Sequence, residues 1–328
     1  MRGLQHFGRI VAVALLALVG QATGPAQAQD FPTRTVRLVV AFPPGGPTDF
    51  VARLLADKLK SLLGQTVIIE NKPGANGAVG AEYVANADPD GYTLFFTTVG
   101  AVAITPHMRA SKAGYDPITS FAPITLLVRN TTVLVVRPDL PINSVKELTA
   151  MAKDKPDAIP FASTGIGSMP HLALELFQSA AGVKFLHVPY RGAAPALTDL
   201  LGGQVQALFA DAPVLMPHIQ AGKLKPLAAA SGSRNEALPQ VPTLAELGFS
   251  DTTADNWYGL LAPARTPRPI VLKLNAAVTS ALNDPEVRAK LIGSGAIPAP
   301  TTPEEFGTIL KNELDRWGAV IRDKNIKP

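Results

Sequence analysis

A turn rich in proline and glycine follows the first apolar run of the chain and precedes a helical pattern. The apolar run is Val36 to Phe42, the turn reads Pro43-Pro44-Gly45-Gly46-Pro47, and the helix is predicted from Thr48. A strand, a glycine turn and a helix N-terminus leave unpaired backbone N–H groups aimed at one point, where the helix macrodipole is positive. Because the turn lacks the lysine of phosphate-binding loops, the residues favour a carboxylate over a nucleotide.

Two side chains beside this turn each have two interpretations. Thr48 either contacts the anion or only caps the helix, and Asp49 either contacts it or only complements the helix dipole.

A second loop of the same kind lies midway along the chain. After a predicted strand at Ile159 to Ala162, the sequence reads Ser163-Thr164-Gly165-Ile166-Gly167-Ser168, and a helix with Pro170 in its first turn follows. Hydroxyl groups, glycines and a helix start suit a carboxylate that accepts backbone and hydroxyl hydrogen bonds. Ser168 is at the same time a candidate N-cap.

Two further strands in this half end in polar residues. Arg191, in the turn Pro189-Tyr190-Arg191-Gly192, either pairs with a ligand carboxylate or is a solvated loop arginine. Asp211 is either a pocket acid or a helix cap. Because open α/β sheets bind ligands at the carboxyl ends of their strands, we expect these turns to converge on one site.

Catalytic and cofactor motifs are not found in the sequence. Ser168, His171 and Asp211 are the residue types of a hydrolase triad, but the Gly-x-Ser-x-Gly elbow that exposes a nucleophile is missing. His171 lies three residues along the same helix, where it more often packs or caps. The five histidines show no metal-binding spacing, and no Gly-x-Gly-x-x-Gly follows the first strand. We therefore predict no catalytic residue, no metal and no cofactor.

The first residues have the pattern of a secretory signal. Arg2 and Arg9 precede the apolar run Ile10 to Val19, and Ala26-Gln27-Ala28 is a small-residue cleavage site. The apolar run is roughly ten residues long, whereas a bilayer needs about twenty. We predict cleavage near Ala28 and a soluble, exported product.

Charge and cysteine content exclude several classes of protein. The formal net charge of +4 becomes +2 once Arg2 and Arg9 are removed, which is too weak to indicate nucleic-acid binding. The chain contains no cysteine, which excludes disulfides, thiolate catalysis and cysteine-ligated metals.

Strand-like and helix-like patterns alternate along the chain, which is typical of α/β architecture. The alternation of strands and helices is interrupted where two β-rich runs, Pro123 to Val128 and Thr132 to Val136, follow each other without a helix. Two consecutive strands of this kind are where a chain naturally crosses between two domains. We predict a signal peptide at 1–28, a discontinuous first domain at 29–128 and 253–328, and a second domain at 129–252. Two linkers between lobes make a hinge, which implies closure on a ligand.

The chain resembles the Bug-type periplasmic solute-binding receptors of tripartite tricarboxylate transporters. The motifs that carry the resemblance span nearly the whole mature chain in order: FPPGGPTDFVARLLADKL, VIIENKPGANGAVGAEYVANADPDGYTL, ASTGIGSMPHLALELF, VPYRGAAPALTDLLGGQVQALF and PTLAELGF. The resemblance implies a two-lobed, type II periplasmic-binding-protein (Venus-flytrap) fold with an organic acid held between the lobes. It also implies membrane transporter subunits as partners, and we expect a monomer.

The resemblance also assigns roles by position. Gly45, Gly46, Thr48 and Asp49 correspond to the first-lobe carboxylate loop, and the loop Thr97 to Ala103 faces the cleft. The second-lobe clamp corresponds to Ser163, Thr164, Gly165 and Ser168, with Tyr190, Arg191 and Gly192 nearby. The complete predicted site is Pro44, Gly45, Gly46, Thr48, Asp49, Thr98, Val99, Val102, Ser163, Thr164, Gly165, Ser168, His171, Tyr190, Arg191 and Asp211.

Three positions depart from the pattern of that family. Val102 stands where histidine is frequent, Asp211 where asparagine is common, and Val214 where serine is common. Together with Val99, these changes predict an apolar wall and hence an aromatic or otherwise partly apolar carboxylate. An ionised Asp211 would repel a second carboxylate unless it is protonated or paired, but it would attract an amine.

Two other functions fit parts of the sequence. A periplasmic sensor that acts through a signalling partner would share every binding feature. A hydrolase or lyase that uses Ser168 or Asp211 is the enzyme alternative.

Overall fold

The computed structural model describes residues 31–108 and 114–326, and the strands in these ranges form two β-sheets. The strands are β1 (Val36–Val40), β2 (Val67–Asn71), β3 (Thr93–Thr98), β4 (Phe121–Asn130), β5 (Thr132–Val136), β6 (Pro160–Ser163), β7 (Leu186–Pro189), β8 (Ala207–Asp211), β9 (Lys225–Ala229), β10 (Asn256–Pro263) and β11 (Ala296–Pro298). The first sheet has the order β11-β4-β10-β3-β1-β2, and the second has the order β7-β6-β8-β5-β9.

Both sheets combine parallel and antiparallel pairs. In the first sheet, β1 pairs in parallel with β2 and β3, whereas β10 runs antiparallel to β3 and β4. In the second sheet, β6 pairs in parallel with β7 and β8, whereas β5 runs antiparallel to β8 and β9. The antiparallel strands are those that enter each sheet directly after the chain crosses from the other sheet.

Helices connect most of the strands. They are α1 (Pro47–Leu63), α2 (Ala78–Ala85), α3 (Thr105–Met108), α4 (Val145–Asp154), α5 (Met169–Ala181), α6 (Ala193–Gly202), α7 (Ala212–Gln220), α8 (Arg268–Asn283), α9 (Pro285–Gly293) and α10 (Pro303–Asp323). A 3₁₀ turn occupies Ala75–Gly77, and a π-helical turn occupies Gly100–Ile104. No helix in the described ranges is both long enough and apolar enough to cross a membrane.

The helix ends follow from local sequence signals. The Ser144 side chain accepts a hydrogen bond from the Glu147 N–H at the start of α4, and Thr302 and Glu305 form a capping box at the start of α10. Helix α1 ends at Gly64, whose φ of 68° lies in the left-handed region that favours glycine.

The chain crosses between the sheets twice. The first crossing is the single residue Thr131 between β4 and β5, and the second runs from the end of β9 at Ala229 to the start of β10 at Asn256. We call the first sheet with its helices the first lobe and the second sheet with its helices the second lobe. The predicted α/β fold class with a discontinuous first part is confirmed. The predicted domain boundaries stay a prediction, and the predicted signal peptide lies outside the described residues.

Candidate functional site

A cleft lies between the two lobes, with about 530 Å³ of empty space that includes open solvent at its mouth. Residues from both sheets line it: Phe42, Pro43, Gly46, Pro47, Thr48, Asn76, Thr98, Gly100, Thr164, Ser168, Met169, Pro170, Gly192, Ala193, Ala194, Asp211, Asn256 and Tyr258. These lining residues include no lysine, arginine or histidine. An anion that contacts only these residues is therefore held by neutral donors.

Three helix N-termini provide such donors. The first residues of α1, α5 and α6 all line the cleft, α1 from the first lobe and the other two from the second lobe. The first N–H groups of a helix have no intrahelical acceptor, and the macrodipole places a partial positive charge at that end. Anions bind at such ends even without a cationic side chain. The cleft therefore attracts an anion from both sides.

In the first loop, Pro43 to Asp49, some residues line the cleft and others hold the loop in place. Gly46 and Thr48 line the cleft, and the Thr48 hydroxyl is buried without a hydrogen-bond partner among the described residues. Asp49 instead points back into the loop, where it accepts hydrogen bonds from the Gly45 N–H (3.1 Å), Arg53 Nε (2.7 Å) and Asn71 Nδ2 (3.1 Å). Burial raises the pKa of the Asp49 carboxyl, but these hydrogen bonds outweigh it and hold the pKa below its ordinary value. Asp49 thus braces the loop.

We expect Asp49→Asn to lower stability by about 2 kcal/mol, since it weakens several hydrogen bonds to a charged, buried group. In a chain of this size, that loss corresponds to a melting temperature lower by roughly 5 °C, measurable by calorimetry. Asp57→Asn is the matched control, because it removes the same charge from an exposed position on the same helix. Equal melting temperatures for the two variants would contradict the bracing role.

In the second loop, Ser163 to Ser168, the serine side chains form hydrogen bonds within the second lobe. Ser163 Oγ lies 2.7 Å from His187 Nε2, and the Ser168 hydroxyl donates to the Gly165 carbonyl (2.7 Å) while it accepts from the His171 N–H. Ser168 is therefore the N-cap of α5 and at the same time lines the cleft, as does Thr164. Ser163 does not line the cleft.

His171 supports this loop from behind the cleft. Its Nδ1 accepts a hydrogen bond from the Gly167 N–H (3.2 Å), and its ring stacks on that of His187 with centroids 4.5 Å apart. Burial, together with the neighbouring His187, lowers the pKa of His171 to about 3, and burial lowers the pKa of His187 to about 4. Both rings are neutral at pH 7, so the approach of His171 to Glu175 (3.7 Å) is not an ion pair at that pH.

We expect the free energy of unfolding to fall as the pH drops from 6.5 towards 4. In that range the unfolded chain protonates histidines of ordinary pKa, whereas the folded chain keeps His171 and His187 neutral down to about 3 and 4. Each histidine adds about 1.4 kcal/mol per pH unit to the slope of the free energy of unfolding against pH, and this contribution disappears above pH 6.5. Denaturant titrations at several pH values measure it.

The matched variant for this prediction is His187→Gln, which removes one of the two titrating rings. Its slope should be smaller than that of the wild type by about 1.4 kcal/mol per pH unit. The pKa of Asp211 is raised to about 6, so protonation of Asp211 increases the free energy of unfolding as the pH falls through this range. Because Asp211 is present in both proteins, its contribution cancels when their slopes are compared. Identical slopes would refute the assignment.

Asp211 ends β8 and brings a carboxyl group to the floor of the cleft. Its Oδ2 accepts hydrogen bonds from Tyr258 Oη (2.5 Å) and Asn256 Nδ2 (2.7 Å), both from the first lobe. Burial raises the pKa of Asp211 to about 6, although the hydrogen bonds of Tyr258 and Asn256 and the nearby Thr132 hydroxyl lower it. Burial and the adjacent carboxyl raise the pKa of Tyr258 well above its ordinary value, so Tyr258 is the donor.

Three predicted residues line a second cavity that adjoins the cleft. Gly165, Tyr190 and Arg191 line this cavity, which shares Phe42, Pro43, Asn76, Thr164 and Gly192 with the cleft. The Tyr190 hydroxyl donates to Asp199 Oδ2 (2.7 Å), and burial together with that carboxylate raises the pKa of Tyr190 to about 12. Arg191 is exposed. Neither residue lines the cleft itself, and a role for them in ligand binding stays a prediction.

The predicted apolar wall is not where the sequence placed it. Val99 and Val102 are completely buried in the hydrophobic core, and Val214 packs against the core of the second lobe. None of the three lines the cleft. For Val99 and Val102 the reason is the π-helical turn directly after β3, which carries their side chains inward. Pro44, Gly45, Asp49, Ser163 and His171 also lie off the cleft surface.

Sequence reasoning missed several lining residues. The apolar part of the cleft is formed by Phe42, Pro43, Pro47, Met169, Pro170, Ala193 and Ala194. Pro47 and Pro170 were recognisable as first-turn prolines of α1 and α5. That signal does not single out the cleft, because α9 and α10 also begin with a proline and do not line it. Asn76, Asn256 and Tyr258 gave no such local signal.

The lobes touch each other across the cleft. Asn76 Nδ2 of the first lobe donates to the Gly167 carbonyl of the second lobe (2.5 Å). At two places a side chain would crowd the contact between the lobes: a Cβ on Gly192 would lie 3.3 Å from Pro43 Cδ, and one on Gly167 would lie 3.1 Å from Met108 Sδ. The structure therefore has the two halves of the site in contact.

Comparison with known proteins identifies close relatives. The family model described as the tripartite tricarboxylate transporter family receptor, TctC, matches residues 51–326. Protein BugT of Bordetella pertussis is 35% identical over 321 residues, which cover 97% of this chain and 98% of BugT.

Solved structures are similar over most of the chain. One described as a periplasmic transporter has a TM-score of 0.88 and 41% identity, with 90% of this chain and 99% of that chain covered. An R. palustris protein solved with adipate has a TM-score of 0.87 and 36% identity, with 91% and 99% covered. MatC from Rhodopseudomonas palustris, solved with malate, has a TM-score of 0.84 and 35% identity, with 89% and 100% covered.

Proposed function

Because the chain belongs to the family of tripartite tricarboxylate transporter receptors, we propose that it captures an organic carboxylate for a transporter of that type. The family consists of solute-binding receptors, and two relatives have been solved with carboxylates, malate and adipate. The proposal includes export to the periplasm after cleavage near Ala28, and delivery of the acid to membrane subunits of the transporter.

One observation carries the carboxylate assignment: the N-termini of α1, α5 and α6 meet at the cleft from both lobes. Their free N–H groups and the unpartnered Thr48 hydroxyl supply several donors to one anion. Hydrogen bonds to a charged group are stronger when water is excluded, so contact between the lobes would tighten the grip on the acid. The two crossings between the sheets are the natural hinge for that closure.

The apolar side chains around these donors support a ligand with an apolar body. Phe42 and Met169 face the cleft together with Pro43, Pro47 and Pro170. These residues replace Val99, Val102 and Val214 as the basis for an aromatic or otherwise partly apolar acid.

Binding without chemistry fits the side chains better than hydrolysis does. The Ser168 hydroxyl donates to a backbone carbonyl, His171 Nδ1 accepts from a backbone N–H, and Asp211 is bonded to Tyr258 and Asn256. A serine nucleophile needs a histidine to take its proton and an acid to orient that histidine. The three residues are each engaged elsewhere.

Mass spectrometry of the ligand released from purified protein, followed by calorimetric titration of that ligand, tests the proposal. The expected result is an organic acid that binds again with one-to-one stoichiometry. Release of a solute without a carboxylate would overturn the assignment. Uptake of the acid by cells with and without the receptor separates transport from signalling, because a sensor would leave uptake unchanged.

A further inference from the structure

The two oxygens of Asp211 have different surroundings. Oδ2 accepts two hydrogen bonds, from Tyr258 and Asn256, whereas Oδ1 is buried and makes no hydrogen bond to any described residue. The residue is 5% exposed and lines the cleft. Of the two oxygens, Oδ1 is thus the one that remains for a molecule in the cleft.

Such an atom is unusual in a folded protein. Nearly all buried polar atoms have a hydrogen-bond partner, and the cost of leaving one unpaired is larger for a charged group. No cationic side chain lines the cleft near it, and the first N–H of α7, on Ala212, is used by the Thr131 carbonyl. No described residue therefore donates to Oδ1 in hydrogen-bonding geometry, although the Thr132 hydroxyl lies near the carboxyl and lowers its pKa.

The hydrogen-bond donors next to Asp211 identify its Oδ2 as an acceptor. The side-chain oxygen of Asn256, Oδ1, accepts a hydrogen bond from the Trp257 N–H (2.9 Å), which turns the NH₂ group of Asn256 towards Asp211. Tyr258 also donates to Asp211. Since both neighbours donate to Oδ2, that oxygen carries no proton. At pH 7, above the raised pKa of about 6, the carboxyl is mostly ionised and Oδ1 is left to accept.

Further unpaired groups lie on the strands next to Asp211 and Asn256. Strand pairing sets Thr132 opposite Asp211 and Asn130 opposite Asn256, and paired residues of antiparallel strands point to the same face. The Thr132 hydroxyl and both polar atoms of the Asn130 side chain are buried without hydrogen-bond partners among the described residues. The Thr132 hydroxyl is near Asp211 but outside hydrogen-bonding geometry. Unpaired polar side chains therefore also lie next to Asp211 and Asn256, outside the cleft lining.

We propose that Asp211 makes the cleft selective for carboxylates that carry a hydrogen-bond donor, a hydroxyl or an ammonium group, at the end remote from the anion-binding loops. This inference rests on the proposed function, since it describes the other end of the same ligand. The donor group would bond to Oδ1. A second carboxylate in that place would meet a like charge without a cation between them, and like charges in a buried site repel strongly.

A water molecule on Oδ1 is the competing explanation, because a polar, roomy site can hold one. A water that remains in place would leave the far end of the ligand without influence on affinity. The two explanations therefore differ in how affinity depends on the far end of the acid.

The test uses three sets of four acids that differ only at the far end: methyl, hydroxyl, amino or carboxylate. The amino group is an ammonium ion at pH 7 in the two aliphatic sets and a neutral NH₂ group in the aromatic set. The sets are built on hexanoate with adipate, on butyrate with succinate, and on para-toluate with terephthalate. Isothermal titration of the dialysed full-length protein should give, in the best-fitting set, at least tenfold tighter binding for the hydroxyl or amino member than for the methyl and carboxylate members. The hydroxyl and amino members distinguish the two donors.

Asp211→Asn is the matched variant, because it keeps the shape of the side chain but places an NH₂ group towards the cleft. The preference should reverse at least tenfold, so that the dicarboxylate becomes the tighter ligand. Equal binding of all four far ends in the wild type, or tightest binding of the dicarboxylate there, would overturn the proposal even if the variant did not fold. An unchanged preference in a folded Asp211→Asn would also overturn it. If no acid of any set bound, the proposed function itself would fail.

Discussion

Gly46→Glu should weaken carboxylate binding at least a hundredfold while leaving the fold intact. Gly46 has φ −87° and ψ 175°, an extended backbone that any residue adopts, and a Cβ there would meet only the Pro43 carbonyl at 3.7 Å. A side chain at this position starts in the open space of the cleft, directly before α1. Its carboxylate would occupy the place of the ligand and repel it. A hundredfold loss is about 2.7 kcal/mol, which is within the cost of like charges placed together.

Two variants separate size from charge in this experiment. Gly46→Gln adds the same bulk without the charge and should bind more tightly than Gly46→Glu, whereas Gly46→Ala should bind close to the wild type. Gly45 is a poor choice for such a test, because its φ of 81° lies in the left-handed region and any side chain strains the backbone there. Calorimetric titration with the released acid measures all three. Wild-type affinity for Gly46→Glu would show that the acid binds elsewhere.

The part of the site that could be predicted from sequence is the part that depends on neighbouring residues. The apolar residues Val51, Leu55 and Leu59 recur at helical spacing, and all three are buried in α1. The helix predicted from Thr48 begins at Pro47, one residue earlier. A glycine turn before such a helix specifies the anion site locally, so no long-range contact is needed to recognise it.

The segment after β3 could not be predicted in the same way. The resemblance placed Thr97 to Ala103 on the cleft, but only Thr98 and Gly100 of this segment line it. The π-helical turn at Gly100–Ile104 has no sequence signal of its own, and it decides which side chains point inward. Val99 and Val102 consequently belong to the core, where apolar side chains are expected on any reading of the sequence.

The floor of the cleft depends on contacts between distant parts of the chain. Asp211 is separated from Tyr258 by 47 positions, and the hydrogen bond between them joins two different sheets. Sequence reasoning placed Asp211 at a strand end, but strand pairing across the crossings decides its partners. The short strand β11 and helix α9 were missed as well, since neither has a long periodic pattern.

Asn76→Asp should weaken ligand binding roughly tenfold by favouring separation of the lobes. The Asn76 side chain donates from one lobe to the Gly167 carbonyl of the other (2.5 Å), and also to Thr105 Oγ1 within its own lobe (3.0 Å). An aspartate has no NH₂ group and sets a carboxylate against the carbonyl, which turns an attraction into a repulsion. Asn76 has φ 52° and ψ 40°, a left-handed conformation that Asn and Asp both tolerate, so the backbone is not the cause.

The expected tenfold loss of affinity follows from the population of the closed form. One hydrogen bond contributes about 1 to 1.5 kcal/mol, and apparent affinity falls in proportion to the fraction of molecules that are closed.

Small-angle scattering should give a larger radius of gyration for Asn76→Asp than for the wild type without ligand, and saturating ligand should reduce that difference. Asn76→Gly removes the hydrogen bond without adding charge and should lie between the two proteins. Thr105→Val removes only the contact within the first lobe and should behave like the wild type. If Asn76→Asp and Thr105→Val had the same affinity and radius, the contact between Asn76 and Gly167 would not hold the lobes together.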